Sequence, residues 1–217
     1  MYYLYEHQVG HHSLALGFPS IDSCNAICLQ TKTGLFGIHV FGCDSFGHIS
    51  QSMEKESSAF ASFVNGHPNG NDFIHLYGVC FHGKRGLQNA GKKPHAEELQ
   101  VYARAINYKG PISMFDLSSV QNWPKGTGTA TSDSAYVEFR RIFDKVTIMY
   151  KPWNQCVHPP EIKASSVSDG VNYRSTNQKG EIVNKFWFDK ALTSLNTNGT
   201  GFVVAPEALR STFKHKK

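Results

Sequence analysis

Cys24 and His39 are the two residues of this chain whose types and spacing best fit enzyme chemistry. They are 15 residues apart and stand in two apolar runs that flank a short polar turn. A thiol beside an imidazole supports nucleophilic acyl chemistry, because the thiolate attacks while the imidazole lowers the thiol pKa and carries the proton. The alternative is a small buried cysteine and a strand histidine without a chemical role. The choice depends on whether the fold brings the two side chains together.

The two runs predict a β-hairpin. Residues 20–29 and 35–41 are rich in strand-forming side chains, and the turn between them ends in Gly34. If Lys32 and Thr33 form a two-residue loop, the numbers of paired residues sum to 65.

This register places Ala26 opposite His39 and Cys24 diagonally from it on the same face, at roughly 7–8 Å. Only a shift by an odd number of residues would separate Cys24 from His39. The side chains beside them on that face, Ala26 and Gly37, are small, which predicts room for a substrate. The opposite face is predicted to be core, with Ile27, Leu29, Phe36, Ile38 and Val40.

Composition indicates an ordinary globular domain spanning residues 1–217. Hydrophobic residues make up 40% of the chain and charged residues 18%, and the net charge is +5. Such a mild basic excess suits an acidic protein partner but is no signature of nucleic-acid binding. The five cysteines show no C-x-x-C spacing, so they predict a reducing working compartment. The chain starts without a secretory signal pattern, and it has no apolar run of about 18 residues that would span a membrane.

The remaining patterns predict an α+β fold: a mostly antiparallel sheet system flanked by about three helices. Apolar spacing and end signals predict the helices at 53–64, from Pro94 to about 106, and at 183–195. Residues 135–143 fit either a helix or a strand. Strands are predicted at 73–81, 111–117, 146–150 and 202–204, the last of them before a polar, basic tail.

Three other groups of residues suggest different chemistry. Cys43 and His48 form a second possible thiol–imidazole pair in a loop. His7, His11 and His12 could hold a metal, although no carboxylate or thiolate stands at ligand spacing. The triplet His95-Ala96-Glu97 at a helix start resembles the first half of the zinc nucleobase deaminase signature. Its second half is incomplete, because Cys156 is the only cysteine downstream.

The turn Ile21-Asp22-Ser23-Cys24 and the strand Gly37-Ile38-His39-Val40 resemble the protein-glutamine deamidase superfamily. That group includes the chemotaxis receptor deamidases and the toxin domains of cytotoxic necrotizing factor and Burkholderia lethal factor. The resemblance covers about residues 18–41, and the interval from Cys24 to His39 is similar to that of the necrotizing factors. Phe18 stands where several members have a threonine that orients the histidine, so Ser20 or a backbone carbonyl would take that role. The usual glycine of the turn is absent.

The resemblance implies a β-sandwich with peripheral helices and a Cys24–His39 dyad that converts a glutamine of a target protein to glutamate. If an amine replaced water, the same site would act as a transglutaminase. Backbone N–H groups from Ser23 to Asn25 could stabilise the oxyanion. Lys84 and Arg85 could form a basic lip that steers an acidic protein substrate. The mechanism needs no cofactor and no metal.

By analogy with the group, the expected partner is a host or rival-cell protein such as a GTPase or a translation factor. We expect a monomer that leaves its cell without a classical signal and acts in the cytosol of the target cell. The non-enzymatic alternative is a protein-binding module of the same fold, with Cys24 buried.

Overall fold

The computed structural model describes most of the chain in ten stretches. These are residues 2–4, 8–22, 24–40, 51–81, 94–120, 134–152, 170–173, 185–187, 202–206 and 210–214. Within them the chain is mostly β-strand with two α-helices, which confirms the predicted α+β class.

The helices are α1, Gln51–Gly66, and α2, Pro94–Ala105. The strands are β1 Tyr2–Tyr3, β2 Gln8–His12, β3 Ala15–Ile21, β4 Asn25–Thr31, β5 Leu35–Val40, β6 Phe73–Cys80, β7 Pro111–Asp116, β8 Ala135–Ile142, β9 Lys145–Pro152, β10 Gly170–Tyr173, β11 Lys185–Trp187, β12 Val203–Val204 and β13 Arg210–Lys214.

The strands form two sheets in which antiparallel pairing dominates. The larger sheet has eight strands in the order β11-β10-β2-β5-β4-β6-β7-β13, and the smaller has five in the order β1-β3-β8-β9-β12. Two neighbouring pairs are parallel, β6 with β7 and β1 with β3. Parallel neighbours need a long crossover, and α2 lies in the connection from β6 to β7.

Both helices pack on one face of the eight-stranded sheet. Their buried side chains include Met53, Phe60 and Val64 of α1, spaced for one helical face, and they join Ile27 and Leu29 of β4 in a single apolar cluster. Glu97 lies in the first turn of α2 and Arg104 in the last, where each charge favours the helix dipole. The two helices predicted from residues 53–64 and from Pro94 onward are therefore confirmed.

A second apolar cluster is shared by the two sheets. It joins alternate residues of β4 and β6, such as Ala26 and Val79, to residues of β3, β8 and β9 such as Phe18, Phe139 and Ile148. The eight-stranded sheet is therefore apolar on both faces, so strand β4 is buried along its whole length. Neither described helix is long and apolar enough to cross a membrane.

Two predictions near the C-terminus are wrong. The helix predicted at 183–195 is a strand where it is described, because the aromatic run Lys185–Trp187 pairs antiparallel with β10; its other residues lie outside the described part. The strand at Val203–Val204 is not the last one. Residues Arg210–Lys214 pair with β7 as a further strand, which the polar composition of that segment concealed. Residues 135–143, compatible with either structure, form β8 up to Ile142.

Candidate functional site

The hairpin that carries Cys24 and His39 has the predicted register. The amide of Thr31 donates to the carbonyl of Gly34 at 2.9 Å, which closes a two-residue loop at Lys32 and Thr33. Pairing then runs from Gln30 with Leu35 to Asn25 with Val40, so paired numbers sum to 65 throughout. The two-residue turn sets this register, and a one-residue slip would exchange the two faces of β4.

Cys24 immediately precedes β4 and lies on the side of the sheet that His39 shares. Ala26 is directly opposite His39, so Cys24 occupies one diagonal position of that pair. Alternation from the Thr31–Gly34 hydrogen bond makes Ala26 and His39 a non-hydrogen-bonded pair, the closer of the two kinds. Cys24 belongs to the apolar cluster shared by the sheets and is 6% exposed.

The imidazole of His39 is held by the main chain of the N-terminal segment. Its Nδ1 lies 2.7 Å from the carbonyl oxygen of Leu4. A carbonyl can only accept, so Nδ1 carries the proton and donates it, and in the neutral ring Nε2 is the basic nitrogen. A backbone carbonyl therefore holds the His39 ring, as one of the two predicted alternatives has it; the side chain of Ser20, the other alternative, lies outside the described part. Phe18 contacts the same ring edge-on, with centroids 6.2 Å apart.

The predicted space for a substrate beside Gly37 is absent, so that prediction is wrong. A Cβ built on Gly37 would lie 2.7 Å from Leu4 Cδ1 and 2.8 Å from both Leu16 Cδ1 and Phe18 Cζ. Side chains from β3 and the N-terminal segment occupy the volume above Gly37, so a larger residue would not fit there without a shift of these side chains. His39 itself is 2% exposed.

Cys28 lies on the other diagonal from His39 and is therefore the competing thiol. It is opposite Gly37 in the hairpin and fully buried in the same cluster. Burial raises the pKa of the Cys28 thiol well above its usual range, so this thiol stays protonated and unreactive at neutral pH. Both cysteines lie diagonally from His39 on the same face, but Cys28 is inside β4 whereas Cys24 immediately precedes it.

The side chain of Asn25 faces the helices, away from Cys24. Its Nδ2 donates to Oε2 of Glu98 on α2 at 3.1 Å, and both residues are buried. Its backbone forms a hydrogen-bonded pair with Val40, because these pairs alternate from the Thr31–Gly34 end. The N–H of Asn25 therefore belongs to the sheet, which removes it from the predicted oxyanion donors. The sequence did not identify Glu98 as part of this region. Its place in the helical repeat of α2 indicates only that its side chain points inward.

Cys24 lies at the end of the eight-stranded sheet where strands β5, β6 and β7 end and β4 begins. Val40, Asn25, Cys80 and Asp116 pair in one row across β5, β4, β6 and β7. In the chain, β6 is followed by α2, which begins at Pro94, four residues before Glu98.

Several predicted residues lie outside the described part of the chain. They are Ser23, Lys84 and Arg85 of the proposed site, the side chain of Ser20, the pair Cys43 and His48, and Cys156 with the side chain of His95 from the zinc alternative. Glu97 is exposed on the first turn of α2.

The histidines near the N-terminus do not face one another where they are described. His11 packs its ring against Phe36 and His67, whereas Nδ1 of His12 accepts the backbone N–H groups of Leu14 and Ala15. Neighbouring residues of a strand point to opposite faces. His7 lies outside the described residues, and among those described no three histidine, cysteine or acidic side chains are grouped as metal ligands.

A polar group that the sequence did not indicate lies toward β13, on the face of the eight-stranded sheet that also carries Ala26 and Cys28. His75 Nε2 is 2.8 Å from Ser113 Oγ, which is 2.9 Å from Thr212 Oγ1. The ring of Tyr77 stacks on His75 with centroids 4.2 Å apart. Burial, and secondarily the positive charge of Arg210, lower the pKa of His75 to about 4, so it is neutral at pH 7. In the sequence His75 stands between Ile74 and Leu76 in an apolar run, which indicates a buried strand and not a polar group.

No protein-family model matches the chain, and no curated protein matches it.

Proposed function

We propose that this protein is a cysteine-dependent protein-glutamine deamidase in which Cys24 is the nucleophile and His39 its base. The observation that carries the proposal is the hydrogen bond from His39 Nδ1 to the carbonyl of Leu4 at 2.7 Å. It fixes the tautomer with a basic Nε2, on the face of the hairpin that Cys24 shares.

The reaction follows from these two groups. His39 Nε2 takes the thiol proton, and the Cys24 thiolate attacks the carboxamide carbon of a target glutamine. The tetrahedral oxyanion collapses, His39 gives its proton to the departing ammonia, and a thioester remains. Water, deprotonated by His39, then hydrolyses the thioester to glutamate and regenerates the thiol. The target exchanges a neutral amide for a carboxylate.

Access to Cys24 is the condition that this mechanism imposes. Cys24 is 6% exposed, so a glutamine side chain reaches the sulfur only when its surroundings open. Cys24 lies at the sheet edge where the connection after Phe81 begins, and that connection carries Lys84 and Arg85. We include these two cations in the proposal as the lip that steers an acidic target surface.

The finer features of the proposal come from the resemblance. They are a β-sandwich formed by the two sheets, and an effector that acts on a GTPase or translation factor in the cytosol of a target cell after export by a route without a classical signal. The apolar cluster that joins the two sheets supports the sandwich arrangement.

The test is mass spectrometry of lysate proteins incubated with the wild type, with Cys24→Ser and with Cys28→Ser. A target that gains about 1 Da at one glutamine with the wild type and Cys28→Ser, but not with Cys24→Ser, supports the proposal, because only Cys24 can act as the nucleophile. Unchanged spectra from all three folded proteins would refute it.

A non-catalytic binding module is the second candidate, and the burial of the site favours it. Cys24, His39 and the filled space above Gly37 are also what a well-packed core would show. Labelling with iodoacetamide near pH 7 separates the two functions. A catalytic Cys24 reacts well ahead of Cys28 and Cys80, whereas equally slow labelling of all three thiols indicates a core cysteine.

A further inference from the structure

Three exposed apolar side chains meet at one end of the five-stranded sheet. Among the described residues, Phe143 is 89% exposed, Leu14 58% and Ile142 51%. Phe143 occupies the turn between β8 and β9, and the amide of Arg141 donates to the carbonyl of Leu14 at 2.7 Å, which holds Leu14 beside that turn. We call these three residues the apolar tip. It lies at the opposite end of β4 from Cys24, so it is separate from the candidate active site.

The backbone of Phe143 is unfavourable for its residue type. Ile142 pairs with Lys145, so Phe143 and Asp144 form a two-residue hairpin loop, and Phe143 has φ of 55°. Glycine is the usual residue at such a position in a hairpin. The other described non-glycine residues with positive φ are an aspartate and an asparagine, which tolerate it better. An aromatic ring therefore stands in solvent, where both packing and backbone preference favour a small residue.

Neighbouring loops hold the apolar tip in place. Gln30 Nε2 donates to the carbonyl of Asp144 at 2.8 Å, and the guanidinium of Arg141 donates to the carbonyl of Lys32. These bonds join the β8–β9 turn to the β4–β5 turn. The ring of Phe143 is thus presented on a fixed support, which reduces the entropy lost on binding.

Basic and acidic side chains lie around the apolar tip. Lys32 is paired with Asp72 at 3.5 Å, Arg141 with Asp144 at 3.6 Å, and Arg140 with the buried Glu138. Each of these three carboxylates is paired with a base, and the exposed Lys145 adds a fourth positive charge beside Phe143. Among these described residues, four bases stand against three carboxylates, so the border carries one net positive charge; the whole chain carries +5.

We propose that the apolar tip docks on an anionic phospholipid membrane, with Phe143, Ile142 and Leu14 entering the interfacial region. The tip is a convex turn, so its apolar side chains suit a deformable surface, whereas a protein partner would need a matching pocket. Lysine and arginine side chains beside an apolar group can reach anionic headgroups with their charged ends while their aliphatic stems lie against apolar surface. Membrane docking would give Phe143 the apolar contacts that it lacks in the folded chain.

The experiment is sedimentation of the full chain with vesicles of phosphatidylserine and phosphatidylcholine, compared with phosphatidylcholine alone. We expect the wild type to bind the anionic vesicles, less strongly as salt rises. Phe143→Gly should weaken binding about tenfold or more, since a large apolar side chain is lost from the interface. Lys145→Glu should weaken it as well, through charge.

Val204→Ser is the matched control. Val204 is 55% exposed on β12, so this change removes exposed apolar surface away from the tip and should leave binding unchanged. Thermal unfolding checks that the variant is folded: Phe143→Gly should unfold at the same or a higher temperature than the wild type. Failure of the wild type to bind anionic vesicles, or equal binding by Phe143→Gly, would overturn the proposal and leave a protein partner as the occupant of the tip.

Discussion

His39 and Leu4 are joined by a hydrogen bond of 2.7 Å between a buried imidazole and a backbone carbonyl that lies 35 residues earlier in the chain. The bond connects the second strand of the hairpin to the residue that follows β1. It makes the tautomer of the neutral His39 ring a property of the tertiary fold, since the position of Leu4 decides which nitrogen carries the proton.

Replacement of His39 by asparagine separates orientation from base chemistry. The amide of His39→Asn can still donate to the carbonyl of Leu4, but it has no basic nitrogen. We expect deamidation to fall by about 100-fold or more, because general-base catalysis contributes about 10²–10⁴-fold. The unfolding temperature should stay close to that of the wild type.

The control for that experiment is His39→Ala, which loses both the donor and the base and should be less stable as well as inactive. Iodoacetamide labelling of Cys24 should be slow in both variants. Wild-type activity in His39→Asn would exclude His39 as the base.

Gly37→Ala should destabilise the protein. The added methyl would meet Leu4, Leu16 and Phe18 at under 3 Å, and overpacking of this kind costs about 1–3 kcal/mol. Urea unfolding measures the effect. Gly66→Ala is the matched control, since nothing lies within 4 Å of a Cβ at that helical position. It should stabilise the protein by about 0.4–1 kcal/mol. Equal stability of the two variants would show that the space above Gly37 is open.

Asn25→Asp should destabilise the fold at neutral pH. It places a second carboxylate against Glu98 in a buried site, and the loss of a buried hydrogen bond to a charged group costs about 1.5–3 kcal/mol before repulsion is added. The loss of stability should shrink as the pH is lowered and one carboxyl group is protonated. Urea unfolding of Asn25→Asp and the wild type at pH 7 and pH 5 measures this. A fully stable variant with altered activity would instead place Asn25 in the substrate site.

His75 should make stability depend on pH in the acid range. Its pKa is about 4 in the folded protein and 6.5 ordinarily, so the unfolded chain binds the proton more readily between these values. Stability is therefore fully present above about pH 6.5 and is lost as the pH falls toward 4. The largest slope is about 1.4 kcal/mol per pH unit. Solvent screening of the half-buried ring reduces the total to on the order of 1–2 kcal/mol.

The measurement for His75 is urea unfolding of the wild type and His75→Gln between pH 7 and pH 4. Glutamine can keep a hydrogen bond to Ser113 but does not titrate, so the variant should lose less stability on acidification. Parallel curves for the two proteins would assign the acid sensitivity to other groups.

The sequence by itself determined the hairpin and its faces. The turn at Lys32 and Thr33 and the period-two alternation are local, so they fix the register that puts Cys24 and His39 on one side of β4. The helices α1 and α2 and strands such as β6 were predictable for the same reason, since their apolar spacing is written in consecutive residues.

Only the tertiary structure decided what lies against those faces. Leu4 on His39, Phe18 above Gly37 and Glu98 on Asn25 all come from distant parts of the chain, and no local pattern encodes such contacts. The small residues beside Cys24 predicted an open site, but packing at high density filled it with side chains from another sheet. Likewise, β11 and β13 became strands by pairing with existing sheet edges, where tertiary context overrides local preference.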